Sequence, residues 1–379
     1  MVYKVIGLMS GSSLDGLDIA YIHLHENAGK WSFTFIHTAC YEYPDSWRQK
    51  LAGATSLSAL DYQLLHAEYG HYLGERVNHF IGTNALQYQV QLISSHGHTT
   101  FHRPASRMTA QLGDGAALAA VTGINTVSDL RAMDLALGGQ GAPIVPIGEK
   151  WLLKEYDWFL NLGGIANLSH HRTAGDFVAF DVCPANRVLD QLAAEEGMRY
   201  DPEGSLAAKG RLDIRLLEAL NALPYYSEPY PKSLANEFGT GTVRSLIAGF
   251  RLPVADALRT CTEHIAIQVK NAILLSQTDP AASAISTISA TPAAPSAPRR
   301  LLVTGGGAHN TFLVGRLREY LAPLQIEPVI PAPELIDYKE ALVMALIGVL
   351  RWREEYNVLA SVTGASRNSI GGALWIGQS

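Results

Sequence analysis

Cysteine is scarce in this chain. The three that occur, Cys40, Cys183 and Cys261, are scattered through 379 residues and form no C-x-x-C pair. That excludes a disulfide framework and a paired-thiol motif. Long apolar runs are missing, so no segment reads as a bilayer span. No basic stripe with interleaved aromatics occurs, and the net charge is −6, which argues against a nucleic-acid surface. No G-x-x-x-x-G-K-[ST] loop is present. The first residues enter a strand directly, without a basic-then-apolar leader. The expectation is a cytoplasmic protein with neither nucleic-acid nor membrane partners.

What is present is glycine in particular places. Apolar residues make up 47%, and a chain of this length reads as two domains around sizeable cores. Val5–Leu8 and Ile19–Leu24 read as strands flanking Met9-Ser10-Gly11-Ser12-Ser13-Leu14-Asp15-Gly16-Leu17-Asp18. Such a tip offers backbone N–H groups and hydroxyls to an anion, and a carboxylate beside bound phosphates holds Mg²⁺ through water. A plain hairpin turn has the same composition. The pattern returns about 150 residues later. Trp158–Leu162, Gly163-Gly164 and Ile165–Ser169 repeat the strand-glycine-strand order. The turn Thr173–Asp176 and a third strand, Phe177–Val182, complete the copy. The first copy has its own third strand, Trp31–Tyr41, and both run into helical sequence, Asp45–Ala52 and Asn186–Glu196. A duplicated meander with a glycine tip suggests two similar domains gripping one ligand. A third turn, Thr304–Asn310 with Gly305, Gly306 and Gly307, follows the strand Leu301–Val303 and precedes a helix, Phe312–Leu321. That order places N–H donors and a helix start near an anion, although it is not a G-x-G-x-x-G fingerprint.

Between these landmarks Leu57–Phe80 has helical apolar spacing. Val90–Ser94 reads as a short strand ending in Ser95-His96-Gly97-His98-Thr99. Gly113–Thr122 reads as an Ala-rich helix, and Asn125–Ser128 as a buried strand ending in Asp129-Leu130-Arg131. Leu137–Pro146 reads as a hinge or interdomain crossing. Ala255–Leu275 and Lys339–Arg353 read as long helices. Residues 278–298 are low-complexity Ala/Ser/Pro/Thr sequence, too poor in apolar bulk to order itself, and read as a solvated insertion.

Several polar residues invite chemistry, each with a plainer alternative. Asp181 ends an apolar strand beside a glycine loop, which suits proton abstraction; a turn or capping Asp has the same spacing. His96, His98 and His102 resemble a zinc triplet, but no fourth ligand accompanies them, and a polar substrate loop suits them better. Arg131 can pair with a substrate carboxylate or with a structural acid. Glu340 opens the last long helix, favouring its dipole or reaching into a cleft.

Taken in order, these stretches resemble one family. Met9–Asp18 is similar to the phosphate loop of the anhydro-N-acetylmuramic acid kinases, which usually reads M-S-G-T-S-L-D-G. The likeness extends through Ser95–Thr99, Leu137–Pro143, Leu160–Leu168, Thr304–Asn310, Lys339-Glu340-Ala341 and Ser361–Ala365. It leaves out 278–298. The resemblance implies an α/β fold of two actin-like (ribonuclease H-like) domains, with a nucleotide cleft between them. The boundaries drawn from it are 1–148 plus roughly 351–379 for the N-terminal domain and 149–350 for the C-terminal one. It implies ATP and Mg²⁺, a small anhydro amino sugar as substrate, and leaves a homodimer open. The implied reaction opens the 1,6-anhydro bridge with water and phosphorylates O6. By the same resemblance Asp181 is the general base. Gly11, Ser12, Ser13, Leu14, Asp15, Gly16, Leu17, Asp18, Gly163 and Gly164 hold phosphates, Asp15 serves Mg²⁺ through water, and Gly305, Gly306 and Gly307 lie near the adenosine. His96, Gly97, Thr99, Arg131 and Glu340 are assigned to the sugar. The family commonly has Thr-Gly-Pro-Gly-Asn after the base, where this chain has Val182-Cys183-Pro184-Ala185-Asn186. A kinase of the same fold for another sugar, or a nucleotide-binding regulator without turnover, stands as the alternative.

Overall fold

The computed structural model describes residues 1–11, 13–172, 177–230, 232–235, 237–278 and 298–377. Two compact units emerge: Met1–Lys154 with Tyr338–Ser379, and Glu155–Asp337. The expected turn Thr173–Asp176 and nearly all of the low-complexity stretch lie outside the described residues, as does Ser12.

In the first unit β1 (Val2–Ser10), β2 (Gly16–Asn27) and β3 (Lys30–Glu42) form an antiparallel meander. β4 (Leu92–Arg103) lies parallel to β1, and β5 (Met108–Leu112) pairs back on its second half. β6 (Thr126–Ser128) lies parallel to β4. Ile6, Leu8, Leu17 and Ile19 pack against Leu73, Val77 and their neighbours in the helix Ala59–Thr83. Ser58 caps that helix, its hydroxyl accepting from the Asp61 amide at 3.1 Å, as an N-cap serine does.

The second unit repeats the plan. β7 (Trp158–Leu162), β8 (Ile165–His171) and β9 (Phe177–Pro184) form an antiparallel meander. β10 (Arg299–Thr304) adds parallel to β7, and β11 (Ile326–Val329) adds parallel to β10. The sheet order is β11-β10-β7-β8-β9. The apolar face of this sheet buries against the helix Val254–Ser276, through residues such as Leu168, Phe180, Ile265 and Val269. The chain then returns to the first unit, where β12 (Ala373–Trp375) pairs antiparallel with β6. The first sheet therefore runs β12-β6-β4-β1-β2-β3. In both sheets a three-stranded meander extends, beside its first strand, into two further parallel strands. That is the ribonuclease H-like order, present twice.

Several expectations change. The strand expected over Val90–Ser94 is twelve residues long and carries Ser95–Thr99 within it. Glycine and polar residues suggested a loop there, but β4 has a neighbour on each side. Gly97 accommodates a bulge at φ +69°, where a Cβ would sit 2.5 Å from the Leu112 carbonyl oxygen. Leu137–Pro146 is no crossing. It is laced within the first unit: the Gly141 amide donates to Asp134 Oδ2 at 2.7 Å and the Gln140 amide to the Thr363 carbonyl at 2.8 Å. The crossings fall at 154/155 and 337/338 rather than 148/149 and 350/351. The final long helix starts earlier than expected, at Pro333, and kinks at Tyr338. Its later part joins the first unit because Ala341 and Ala345 lie directly on Gly7 of β1.

Candidate functional site

In the first unit β1 and β2 pair as far as Ser10 and Leu17, which leaves a short tip. Leu14 turns it at φ +60°, its amide reaching the Gly11 carbonyl at 3.4 Å. Ser13 and Asp15 are exposed. Gly11 has room for a Cβ, since the nearest atom would be 3.5 Å away, so its own packing does not demand glycine. Gly16 is different: a Cβ would press on the Tyr41 carbonyl oxygen at 2.7 Å. Leu17 points into the core. Gly16 and Leu17 therefore shape the hairpin, with only main-chain groups left for a ligand. Asp18 lies beside the Cys40 thiol, whose pKa is pushed up to about 12 by burial and then by this carboxylate.

Beneath the tip lies a buried polar chain. Ser10 Oγ sits 3.1 Å from His98 Nδ1 and accepts from the Tyr43 hydroxyl at 2.8 Å. Tyr43 in turn meets the Tyr69 hydroxyl at 2.5 Å. Register explains the first contact, because Ser10 on β1 pairs with His98 on β4. The Met9–Asp18 motif and the Ser95–Thr99 motif are thus adjacent in space.

His96, Arg131 and Glu340 also converge. Arg131 Nε donates to His96 Nε2 at 2.9 Å, and its NH1 donates to the Gly141 carbonyl at 2.5 Å. A guanidinium can only donate, so His96 accepts on Nε2 and carries its proton on Nδ1, which donates to the Gly97 carbonyl at 2.9 Å. Burial, then the Arg131 charge, pushes the His96 pKa down to about 3. Burial pushes Arg131 down to about 10, with Glu340 and then Asp134 opposing the shift. Neutral His96, anchored through Nδ1 on the Gly97 carbonyl, thus serves as an acceptor that fixes the Arg131 guanidinium in place. Glu340 follows the kink instead of opening the helix. Thr99 is half-buried and accepts from Gln111 Nε2 at 3.3 Å. Among the described residues no group of three His, Cys, Asp or Glu side chains gathers to hold a metal.

In the second unit the two glycine turns emerge at one end of the sheet, because β7 and β10 are parallel and Asn161 pairs with Thr304. Asn186 joins them: its Nδ2 donates to the Leu162 carbonyl at 2.8 Å and its amide to the Gly163 carbonyl at 3.1 Å. Gly305 needs its positive φ of +78°, and a Cβ there would meet Asn161 Oδ1 at 2.5 Å. Gly307 is packed on Leu162. Gly163, Gly164 and Gly306 have no neighbour closer than 3.4 Å to a Cβ, which leaves that space for a ligand. A single 3₁₀ turn, Gly306–His309, separates this loop from the helix Thr311–Leu321, whose cap Asn310 accepts from the Leu313 amide at 2.9 Å.

Asp181 lies within β9 and not at its end, since the strand runs on to Pro184. β9 is an edge strand. Tyr225, Lys232 and Leu234 cover that edge at Asp181 and were not legible beforehand, being more than 40 residues away in sequence. The Leu234 amide donates to Asp181 Oδ2 at 2.8 Å, and the Asp181 amide donates to the Lys232 carbonyl at 3.2 Å. Burial raises the Asp181 pKa, and the Leu234 bond opposes that shift in part. The departures at Val182, Cys183 and Ala185 are all buried in the core.

The family model for anhydro-N-acetylmuramic acid kinase matches residues 3–377. Relatives bearing that name include one from Gloeobacter violaceus, 35% identical with 96% of each chain covered. Another, from Photobacterium profundum, is 32% identical over 99% of each. One from Haemophilus influenzae is 33% identical over 98% of this chain and 97% of its own. Among solved structures, an activator of 2-hydroxyisocaproyl-CoA dehydratase from Clostridium difficile, with bound ADPNP, is similar over 93% of this chain and 96% of its own. It is 14% identical, with a TM-score of 0.41. With the family match running nearly end to end, and with a ribonuclease H-like sheet in each unit, this chain belongs to the anhydro-N-acetylmuramic acid kinase family.

Proposed function

We propose that this chain is an ATP-dependent kinase for 1,6-anhydro-N-acetylmuramic acid. ATP, water and the anhydrosugar give ADP and N-acetylmuramic acid 6-phosphate, a step of peptidoglycan recycling. Asp181 is the observation that carries the chemistry. Its carboxylate is half-buried, raised in pKa, and among the described residues held by one amide on Oδ2. A raised pKa brings a carboxylate nearer the range where it serves as a general base. In this reading it takes a proton from water as the water oxygen bonds to C1. The C1–O6 bond breaks, and O6 accepts the γ-phosphoryl group of ATP. The acetal thus opens as in inverting glycoside hydrolysis, with the phosphoryl group capturing the leaving oxygen in place of a proton.

The remaining roles are positioning, which is most of what phosphoryl transfer asks of a protein. Gly11–Asp18 and Gly163-Gly164 bind phosphates through main-chain amides. Gly305–Gly307 lies at the adenosine. His96 with Gly97, Thr99, Arg131 and Glu340 orients the sugar, the Arg131 guanidinium suiting a carboxylate. Exposed Asp15 fits a magnesium ion held through water, and that ion supplies charge neutralisation on the phosphates.

The test is ADP release with magnesium-ATP and 1,6-anhydro-N-acetylmuramic acid, run beside Asp181→Asn. Wild type is expected to form the 6-phosphosugar, and the variant to lose at least about 10²-fold in kcat while still binding ATP. A wild type that binds ATP but leaves this sugar untouched sinks the substrate assignment.

A further inference from the structure

Resting on Asp181 as the base, we propose that Tyr225 is a positioning residue for this reaction: its hydroxyl fixes the main chain of Asp181 and so aims the carboxylate. An edge strand leaves main-chain groups unpaired on its open side. At Asp181 Tyr225, Lys232 and Leu234 meet them. The Tyr225 hydroxyl donates to the Asp181 carbonyl at 2.6 Å, the Asp181 amide donates to the Lys232 carbonyl, and the Leu234 amide holds Oδ2. Three bonds, from Tyr225, Lys232 and Leu234, thus meet a single residue. Only the Tyr225 bond is made by a side chain.

The donor is itself held. Tyr225 is 7% exposed and sits in the 3₁₀ turn Pro224–Ser227. The Lys232 ammonium lies 4.5 Å from its ring centroid and donates to its carbonyl at 3.0 Å. Tyr226 and Phe238 flank the ring at 5.7 and 5.6 Å. Burial and the neighbouring Asp181 charge raise its pKa, so the hydroxyl keeps its proton throughout the working range. Losing the bond leaves a carbonyl lone pair unmet and frees the peptide to shift. A misplacement near 1 Å costs about 10²-fold in rate.

The experiment is a double-mutant cycle on the full chain. Tyr225→Phe is expected to lower kcat about 10- to 100-fold and to leave KM for ATP within about twofold. In the Asp181→Asn background the same substitution is expected to leave residual turnover unchanged within about twofold, because the group it aims is gone. Lys232→Met, which keeps the hydroxyl but loosens the ring, is expected to give a smaller loss of kcat that also vanishes in that background. It carries the test if Tyr225→Phe fails to fold. Unchanged kcat in the single variants overturns the inference, and so do losses that multiply in both backgrounds. If instead Asp181→Asn itself retains activity, the base assignment falls, and that failure is distinct.

Discussion

Asp181 carries its charge against its surroundings. Its pKa in the folded chain is raised, chiefly by burial, so the folded state holds this proton more tightly than the unfolded state does. The stabilising contribution is present below the unfolded value and lost as pH rises through the folded one. Two outcomes follow. The acidic limb of kcat/KM is expected above the ordinary aspartate value of 3.8, with activity falling as pH drops through it. Asp181→Asn, deeply impaired in the assay, is expected to melt at the same temperature as wild type or higher at neutral pH. That difference should close as pH falls below 3.8, where wild type is neutral in both states. A lower Tm for the variant at neutral pH would show that ionised Asp181 stabilises the fold. The residue was legible in the sequence because an acid after Phe177–Phe180 breaks an apolar run. Its supports were not, because Tyr225 and Leu234 signal nothing by type or spacing.

Elements were legible where one periodicity persists. The meanders, the helix Ala59–Thr83 and the helix Val254–Ser276 fall within a few residues of expectation. Errors came where local signals opposed the sheet. Gly97 and its histidines read as loop, yet β4 continues through them because neighbouring strands supply the hydrogen bonds that a turn would otherwise satisfy. Leu137–Pro146 read as a crossing, because nothing in its glycines announces that Asp134 gathers them. Gly7 gives the opposite lesson: unremarkable in sequence, it is a point where β1 and the last long helix approach closely. A Cβ there would sit 1.9 Å from the Ala341 carbonyl oxygen. Gly7→Ala is therefore expected to destabilise the first unit by about 3 kcal/mol or more, read as a loss in urea midpoint with unchanged slope. A midpoint equal to wild type would show that the helix shifts at little cost.

At the scale of the whole molecule the duplicated meander, glimpsed in two glycine turns, becomes two sheets of one strand order. The units differ in how they are threaded. Glu155–Asp337 is one continuous stretch, whereas the other unit is built from both ends of the chain. A fragment spanning 155–337 is expected to melt cooperatively, since its core closes on itself. A 1–154 fragment lacks β12 and the helix carrying Leu342 and Leu346, both fully buried, and is expected to give no cooperative transition by circular dichroism. Threading also sets an order in time. On the ribosome the strands before residue 155 cannot complete their unit until the stretch from Tyr338 to β12 emerges, a wait on the order of tens of seconds at ordinary elongation rates. Glu155–Asp337 can therefore close its core while the β1–β2 hairpin still waits for the strand and helix that complete its unit.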